Sequence, residues 1–214
     1  QFPKQTIGRA DIISSWAGVR PVIGSESSKD PSKERRDHAV WSDNGLITVS
    51  GGKLTTFRLI ALDALNAALP QLPKAKPFTD DRVFTTPDLT PEDLVADEPA
   101  WAQRLLGRYG TQTKAMLDSA PEAERQRIVG TDFCLAECRW AARHEAVAHL
   151  DDLLLRRTRL GMVMVHGAME LLPALEVICT SELGWNQDHW RLEVKRYLSI
   201  WERFYSLPKD NDRS

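Results

Sequence analysis

The segment SGGKLTTFR, Ser50 to Arg58, places two adjacent glycines, a cation and two hydroxyls between a strand-like run and a helical pattern. Glycines let backbone approach a ligand with no side chain in the way. The first turn of a helix leaves N–H groups unpaired, and the helix dipole makes that end positive. Negative charge on a ligand is stabilised there. Lys53 adds a full positive charge, and Thr55 and Thr56 can cap or hydrogen-bond. The order differs from the P-loop, G-x-x-x-x-G-K-[ST], because here both glycines adjoin the lysine. The residues support two readings, an anion site or a tight strand-to-helix turn with a solvated lysine.

Arginines upstream extend the first reading. In WAGVRP, Arg20 stands between Gly18 and Pro21, and Arg35 and Arg36 lie in the loop that follows. A planar guanidinium suits phosphate or carboxylate. Each arginine alone reads as a solvated surface charge; with Lys53 they point to a small anionic substrate. Other groups with chemical potential lie downstream. Cys134 and Cys138 are one helical turn apart, a spacing that could begin a metal site. No Cys or His partners complete it, so small core residues and no metal are expected. His144 can titrate near neutrality, yet Arg143, His144 and Glu145 read as a structural polar network with Asp152, Arg156 and Arg157. The run Arg156 to Arg159 is expected to pair with neighbouring carboxylates, with acidic lipid or a protein partner as its other readings.

The elements that must position these groups follow from patterning. HAVW and GLITVS form two strands around Asp43-Asn44-Gly45, a hairpin signal. After Gly51-Gly52, Leu59, Leu62, Leu65 and Leu69 fall at helical spacing, and Pro70 and Pro73 end that helix. The proline-rich stretch from Leu72 to Asp93 reads as a connector. Beyond Pro91 the pattern is helical. One helix around Trp101 to Leu106 is closed by Gly107 or Gly110, and a second spans Thr111 to Leu117. Cys134 to His149 is a third, followed by a helix LLLRRTRL capped by Asp151-Asp152. Helices over about Val163 to Leu183 and Gln187 to Tyr205 complete the series, the last capped by Asn186. The expected fold is α+β, with residues 1–85 a strand-plus-helix domain and residues 86–214 an all-α domain.

Bulk properties narrow the classes. The 214-residue chain carries a formal net charge of −2, which argues against a nucleic-acid binder with a broad basic field. Three cysteines do not make a disulfide framework and fit a reducing compartment. The most apolar stretch, Leu160 to Cys179, contains His166, Glu170, Pro173 and Glu176, and so is a poor membrane span. The chain reads as cytoplasmic, with peripheral contact at the inner face of the cytoplasmic membrane left open. It shows no secretory signal and opens with Gln1 in mid-phrase, as expected of a C-terminal portion of something longer.

WAGVRP, RRDH and GLITVSGGKLTTFR, in this order, resemble the C-terminal part of FAD-dependent (aerobic-type) glycerol-3-phosphate dehydrogenase. AECRWAARHEAVAHLDDLLLRRTRLGM resembles that family's helical C-terminal (DAO-type) domain. The resemblance runs over most of the chain, and the two motifs together are specific. It implies that residues 1–85 are the C-terminal part of the FAD-binding and substrate domain. It implies FAD contacts at Gly51, Gly52, Leu54 and Thr55, with Lys53 as a catalytic and substrate-binding group between flavin and substrate. Arg20 and Arg36 match arginines implied in holding the substrate phosphate. The implied reaction is oxidation of sn-glycerol 3-phosphate to dihydroxyacetone phosphate, with hydride transfer from C2 to FAD. Electrons then pass to quinone or oxygen.

The chain lacks part of the family's pattern. No G-x-G-x-x-G is present, so the ADP-binding fingerprint is absent. The family's N-terminal FAD domain, with its histidine near the flavin, would lie upstream of Gln1, and His38 does not replace it. The isolated chain is therefore expected neither to hold FAD tightly nor to turn over. Two other classes stay open: a non-catalytic helical interaction module, and an FAD-dependent amine or amino-acid oxidase whose carboxylate substrate Arg20 and Lys53 would also suit.

Overall fold

The computed structural model describes residues 6–19, 38–72, 86–95 and 98–208. Arg20, Arg35 and Arg36, most of the RRDH motif and most of the proline-rich connector lie outside the described residues. The architecture is α+β, a two-stranded antiparallel sheet and a set of helices. It divides into two compact units, one Gly18–Thr85, the other Gln1–Ala17 with Thr86–Ser214.

In the smaller unit, β1 (His38–Asp43) pairs with β2 (Leu46–Gly51) so that Asp43 faces Leu46 and His38 faces Gly51. The two-residue turn has φ of 46° at Asn44 and 84° at Gly45. Positive φ at both central positions is the type I′ geometry, whose twist matches that of the strands. A short 3-10 turn, Leu54–Thr56, leads into α1 (Phe57–Ala68), and Pro70 lies in the 3-10 turn Leu69–Gln71 that ends it. The leucine spacing gives the helix and only part of its inner face, since Leu62 and Leu69 are partly covered. Leu59 and Leu65 are more than half exposed, whereas Ile60, Ala64 and Ala67, at i, i+4 and i+7, are partly covered. Small residues on that stripe suit a close approach. None of the described side chains of this unit is fully buried.

The larger unit holds α2 (Pro91–Leu94), α3 (Pro99–Tyr109), α4 (Thr113–Asp118), α5 (Glu122–Arg125) and α6 (Leu135–His144). After a π-helical turn (Asp152–Arg157) come α7 (Leu160–Val163), α8 (Leu172–Leu183) and α9 (Gln187–Phe204). Gly110, at φ 54°, ends α3, and the Asn186 side chain accepts from the His189 N–H at the head of α9. One core joins Trp101, Leu105 and Met116 to Cys134 and Ala136. A larger one joins Cys138, Leu150, Leu153, Leu154, Leu160, Ile178 and Tyr197, among others.

Three helical expectations are corrected. The helix begun at Leu135 stops at His144, because Ala146 turns to φ 51°; Arg157 Nε donates to the freed Glu145 carbonyl at 2.6 Å. The LLLRRTRL helix is a π turn, closed by the Thr158 N–H donating to the Leu153 carbonyl five residues back. The expected helix from Val163 is broken over Val165–Leu171, where His166, Gly167 and Ala168 are all left-handed. Such runs are unfavourable for L-residues, and two side chains of α9 meet this segment, the Trp201 ring packing directly on Gly167. Tyr197 donates its hydroxyl to the Gly167 carbonyl and Trp201 its indole N–H to the Gly161 carbonyl, each at 2.6 Å. α8 then starts with Pro173 in its first turn, where a missing N–H costs nothing.

The opening segment joins this unit rather than the strands, because its hydrogen bonds lie there. Ser15 N–H donates to the Tyr205 carbonyl (2.9 Å), Ser14 Oγ to the Met162 carbonyl (2.7 Å) and Arg9 Nη2 to the Pro208 carbonyl (2.6 Å).

Charged side chains tie the helices together. Arg139 is bidentate to Glu124 (2.6 and 2.7 Å) and reaches Glu182 at 2.5 Å. Arg143 is bidentate to Glu182 at 2.7 Å on both bonds. The fully buried Glu137 accepts from Arg104 (2.7 Å), the Tyr109 hydroxyl (3.0 Å) and the Cys134 N–H (3.0 Å).

Two predictions follow from this packing. A Cβ at Gly161 would collide with the Tyr197 hydroxyl, so Gly161→Ala should cost about 1–3 kcal/mol, read as a lower urea midpoint with an unchanged slope. The bonds from Arg143 hold the Glu182 carboxyl down to about 2, against burial and helped by Arg139. A carboxyl whose pKa is lower folded than unfolded stabilises above its unfolded value of 4.5 and loses that contribution as pH falls toward 2. The stability gap between wild type and Glu182→Gln should therefore narrow as urea titrations move down through that window; a gap independent of pH would refute the pairing.

Candidate functional site

The strand-to-helix turn places Gly51, Gly52, Lys53, Leu54 and Thr55 consecutively between β2 and α1. Gly51 and Gly52 have φ of 79° and 86°, values that favour glycine. Gly52 also has an internal reason to lack a side chain. A Cβ there would stand 2.5 Å from Ile60 Cδ1 and 3.2 Å from the His38 Cβ. The second glycine thus lets the helix close on the strand, whatever else it does.

The Lys53 N–H donates to Thr56 Oγ1 (3.3 Å), and the Thr56 N–H and hydroxyl both donate to the Lys53 carbonyl (3.0 Å). Thr56, not Thr55, therefore braces the turn. Gly51, Lys53, Leu54 and Thr55 are exposed, Leu54 by 89%. Lys53 has no carboxylate partner among the described residues. An exposed leucine beside an unpaired cation at a helix start can give an apolar contact and a charge to one ligand edge. His38 Nε2 lies 2.6 Å from Asp63 Oδ2 of α1, a bond that ties strand to helix. Arg20 and Arg36 lie outside the described residues, so the structure brings together five of the seven residues the sequence singles out.

Those five fit a flavin edge in part. The exposed backbone of Gly51, the cation and the apolar Leu54 suit contact with an anionic, planar group, while Gly52 is occupied by internal packing. The described hairpin and helix have no buried side chain with which to enclose a cofactor.

In the helical unit, the expected polar network separates into three parts. Arg156 Nη1 meets Asp151 (2.5 Å) and Asp152 (2.9 Å), Arg157 meets a backbone carbonyl, and Arg143 meets Glu182. His144 stacks against Trp140 with ring centroids 4.0 Å apart. Asp151 also pairs with Arg196 of α9. Burial pushes its carboxyl up, but the bonds from the two arginines outweigh this and hold it below the usual carboxylate range. Nothing in the sequence pairs Asp151 with a residue 45 positions away. Cys134 and Cys138 are fully buried, and burial pushes the Cys134 thiol up to about 12. Among the described residues no group of three or more His, Cys, Asp or Glu side chains could hold a metal ion. Nor is any helix among them long and apolar enough to cross a membrane.

Comparison with known proteins joins the two units. Residues 92–190 match the C-terminal domain of alpha-glycerophosphate oxidase. The mitochondrial glycerol-3-phosphate dehydrogenase of Homo sapiens is 32% identical over 229 aligned residues, covering 97% of this chain and 31% of the relative. Glycerol-3-phosphate dehydrogenase 1 of Mycobacterium bovis is 36% identical over 166, covering 73% and 32%. Glycerol-3-phosphate dehydrogenase 2 of Mycobacterium tuberculosis is 30% identical over 205, covering 89% and 35%. The chain thus spans about a third of the length of these relatives. Residues 92–190 belong to the C-terminal domain family of alpha-glycerophosphate oxidase, in a chain whose relatives are glycerol-3-phosphate dehydrogenases.

Proposed function

We propose that this chain supplies one edge of the active site, and the C-terminal helical domain, of a flavoenzyme that oxidises sn-glycerol 3-phosphate to dihydroxyacetone phosphate. The observation that carries this is the exposed Gly51-to-Thr55 turn, with a Lys53 that has no carboxylate partner among the described residues, in a chain that aligns with glycerol-3-phosphate dehydrogenases over 97% of its length. The names of these relatives favour glycerol 3-phosphate over an amine or amino acid as substrate.

FAD, when bound, would accept the hydride from C2 of the substrate and pass the electrons to quinone or oxygen. Gly51, Gly52, Leu54 and Thr55 would contact it. A base outside this chain would take the C2 hydroxyl proton; this chain's residues supply positioning and electrostatics. The helix N-terminus and Lys53 set positive potential where negative charge develops. Lys53 draws the anionic substrate against the turn, and Arg20 and Arg36 clamp its phosphate through their planar forks. Thr56 braces the Lys53 backbone, and among the described residues no carboxylate neutralises its exposed side chain.

Two measurements test this. In the protein extended upstream through its reading frame, glycerol 3-phosphate should bleach the flavin anaerobically. Lys53→Ala should slow bleaching about 10²–10³-fold, the cost of removing one electrostatic stabiliser. Arg20→Ala should instead raise the half-saturating substrate concentration about tenfold or more, on the order of 1.4 kcal/mol. Equal bleaching in wild type and both variants would reject the site. The 214-residue chain alone lacks the ADP-binding fingerprint and, among the described residues of its small unit, any buried side chain. Mixed with FAD and desalted, it should emerge colourless; a stoichiometric yellow complex would show that it holds the cofactor unaided.

A further inference from the structure

The helical unit contains a cleft of about 790 Å³ whose lining includes four arginines, Arg156, Arg159, Arg196 and Arg203, against one carboxylate, Asp151. Every lining residue belongs to this unit. Two backbone irregularities deliver arginines to it. The π turn carries Arg156, and π turns recur at functional sites. Arg159 is left-handed at φ 60°, a strained conformation for a non-glycine residue that also concentrates at functional sites. A solvated salt-bridge surface needs neither device.

The charge does not cancel. Asp151 is buried, and both its oxygens are taken, one by Arg156 and one by Arg196. Each arginine uses only Nη1 in these bonds, which leaves the other guanidinium N–H groups unused among the described residues. Arg159 and Arg203 have no carboxylate partner there; Arg203 lies over the Phe204 ring at 5.0 Å. Asp151 therefore acts as an internal strut that fixes two forks, Asp152 is a second carboxylate on Arg156, and Arg159 and Arg203 stand uncompensated among the described residues, so four cations meet two carboxylates. Trp16, 67% exposed, forms an apolar wall.

We propose that this cleft binds a phosphate group, carried by a small solute or by a lipid headgroup, with the organic part against Trp16. Planar forks with free N–H groups match phosphate oxygens in pairs, and the volume is that of a small-molecule site. The proposal does not depend on the flavin-side turn.

The test uses the 214-residue chain. Inorganic phosphate is titrated by calorimetry into wild type, Arg159→Asn with Arg203→Gln, and Arg191→Gln. Asparagine tolerates the left-handed backbone, and Arg191 is exposed on α9 beside Asp188, outside the cleft. Phosphate affinity should fall at least about tenfold in the double variant and stay within about twofold in the control. Arg159→Lys keeps the charge without the fork and should fall between. Circular dichroism checks that each variant is folded. In parallel, sedimentation with phosphatidylcholine vesicles, with and without phosphatidic acid, separates the sources. Capture by phosphatidic acid that disappears in the double variant assigns a headgroup; phosphate binding without vesicle capture assigns a soluble phosphate ester. Absence of both in wild type, or equal binding by a folded double variant, overturns the proposal.

Discussion

The helical unit depends on the grip of α9 on the backbone between Gly161 and Ala168. Tyr197 is fully buried, yet its hydroxyl is spent on the Gly167 carbonyl. Trp201 does the same for Gly161. Without the Tyr197 donor and the Trp201 ring packed on Gly167, three consecutive left-handed residues would be unfavourable, and the Gly167 and Gly161 carbonyls would lose these partners. With them, the chain can leave the π turn, reverse at Arg159 and begin α7. Arg156 and Arg159 reach the cleft from that irregular backbone, and Arg196 and Arg203 from α9 itself.

Around this grip the interior also holds charged side chains, and they are satisfied. Glu137, Arg139, Asp151 and Glu193 are all buried, and each has at least two partners. Among the described residues no buried side-chain nitrogen or oxygen lacks a hydrogen bond. A buried charge without a partner would shift its protonation or destabilise the fold. These pairs are also directional, and they specify how α3, α5, α6, α8 and α9 meet more narrowly than leucine packing alone would. Among its described residues the small unit has no such interior, and its turn is held by backbone geometry, Thr56 and the His38–Asp63 bond.

Local rules made the small unit legible. Asp-Asn-Gly specified the I′ hairpin and Gly51-Gly52 the end of the strand, and in the larger unit Asn186 specified the head of α9. Each is a short-range effect of φ or capping. What patterning missed was decided at long range. Leu59 and Leu65 keep helical spacing yet face outward, because Gly52 admits Ile60 instead. The helix expected from Val163 fails because partners thirty to forty residues away hold another conformation. Of the candidate site, the turn around Lys53 could be found from residue types and resemblance. The arginine cleft could not, since Asp151 and Arg196 meet only after folding.

The opening segment has a consequence for the order in which the molecule can be made. Ser14 and Ser15 bond to residues 148 to 191 positions later, and the small unit is spliced into the sequence between them and the rest of their own unit. On a ribosome these first residues emerge long before their partners. The hairpin and α1 can form from neighbouring residues as they appear, within microseconds. The segment ahead of them must wait until the end of α9 has been synthesised, and then close a loop spanning almost the whole chain. Loop entropy grows only logarithmically with length, so the delay weakens the final clasp little. During synthesis this clasp can close only after the end of α9 has emerged.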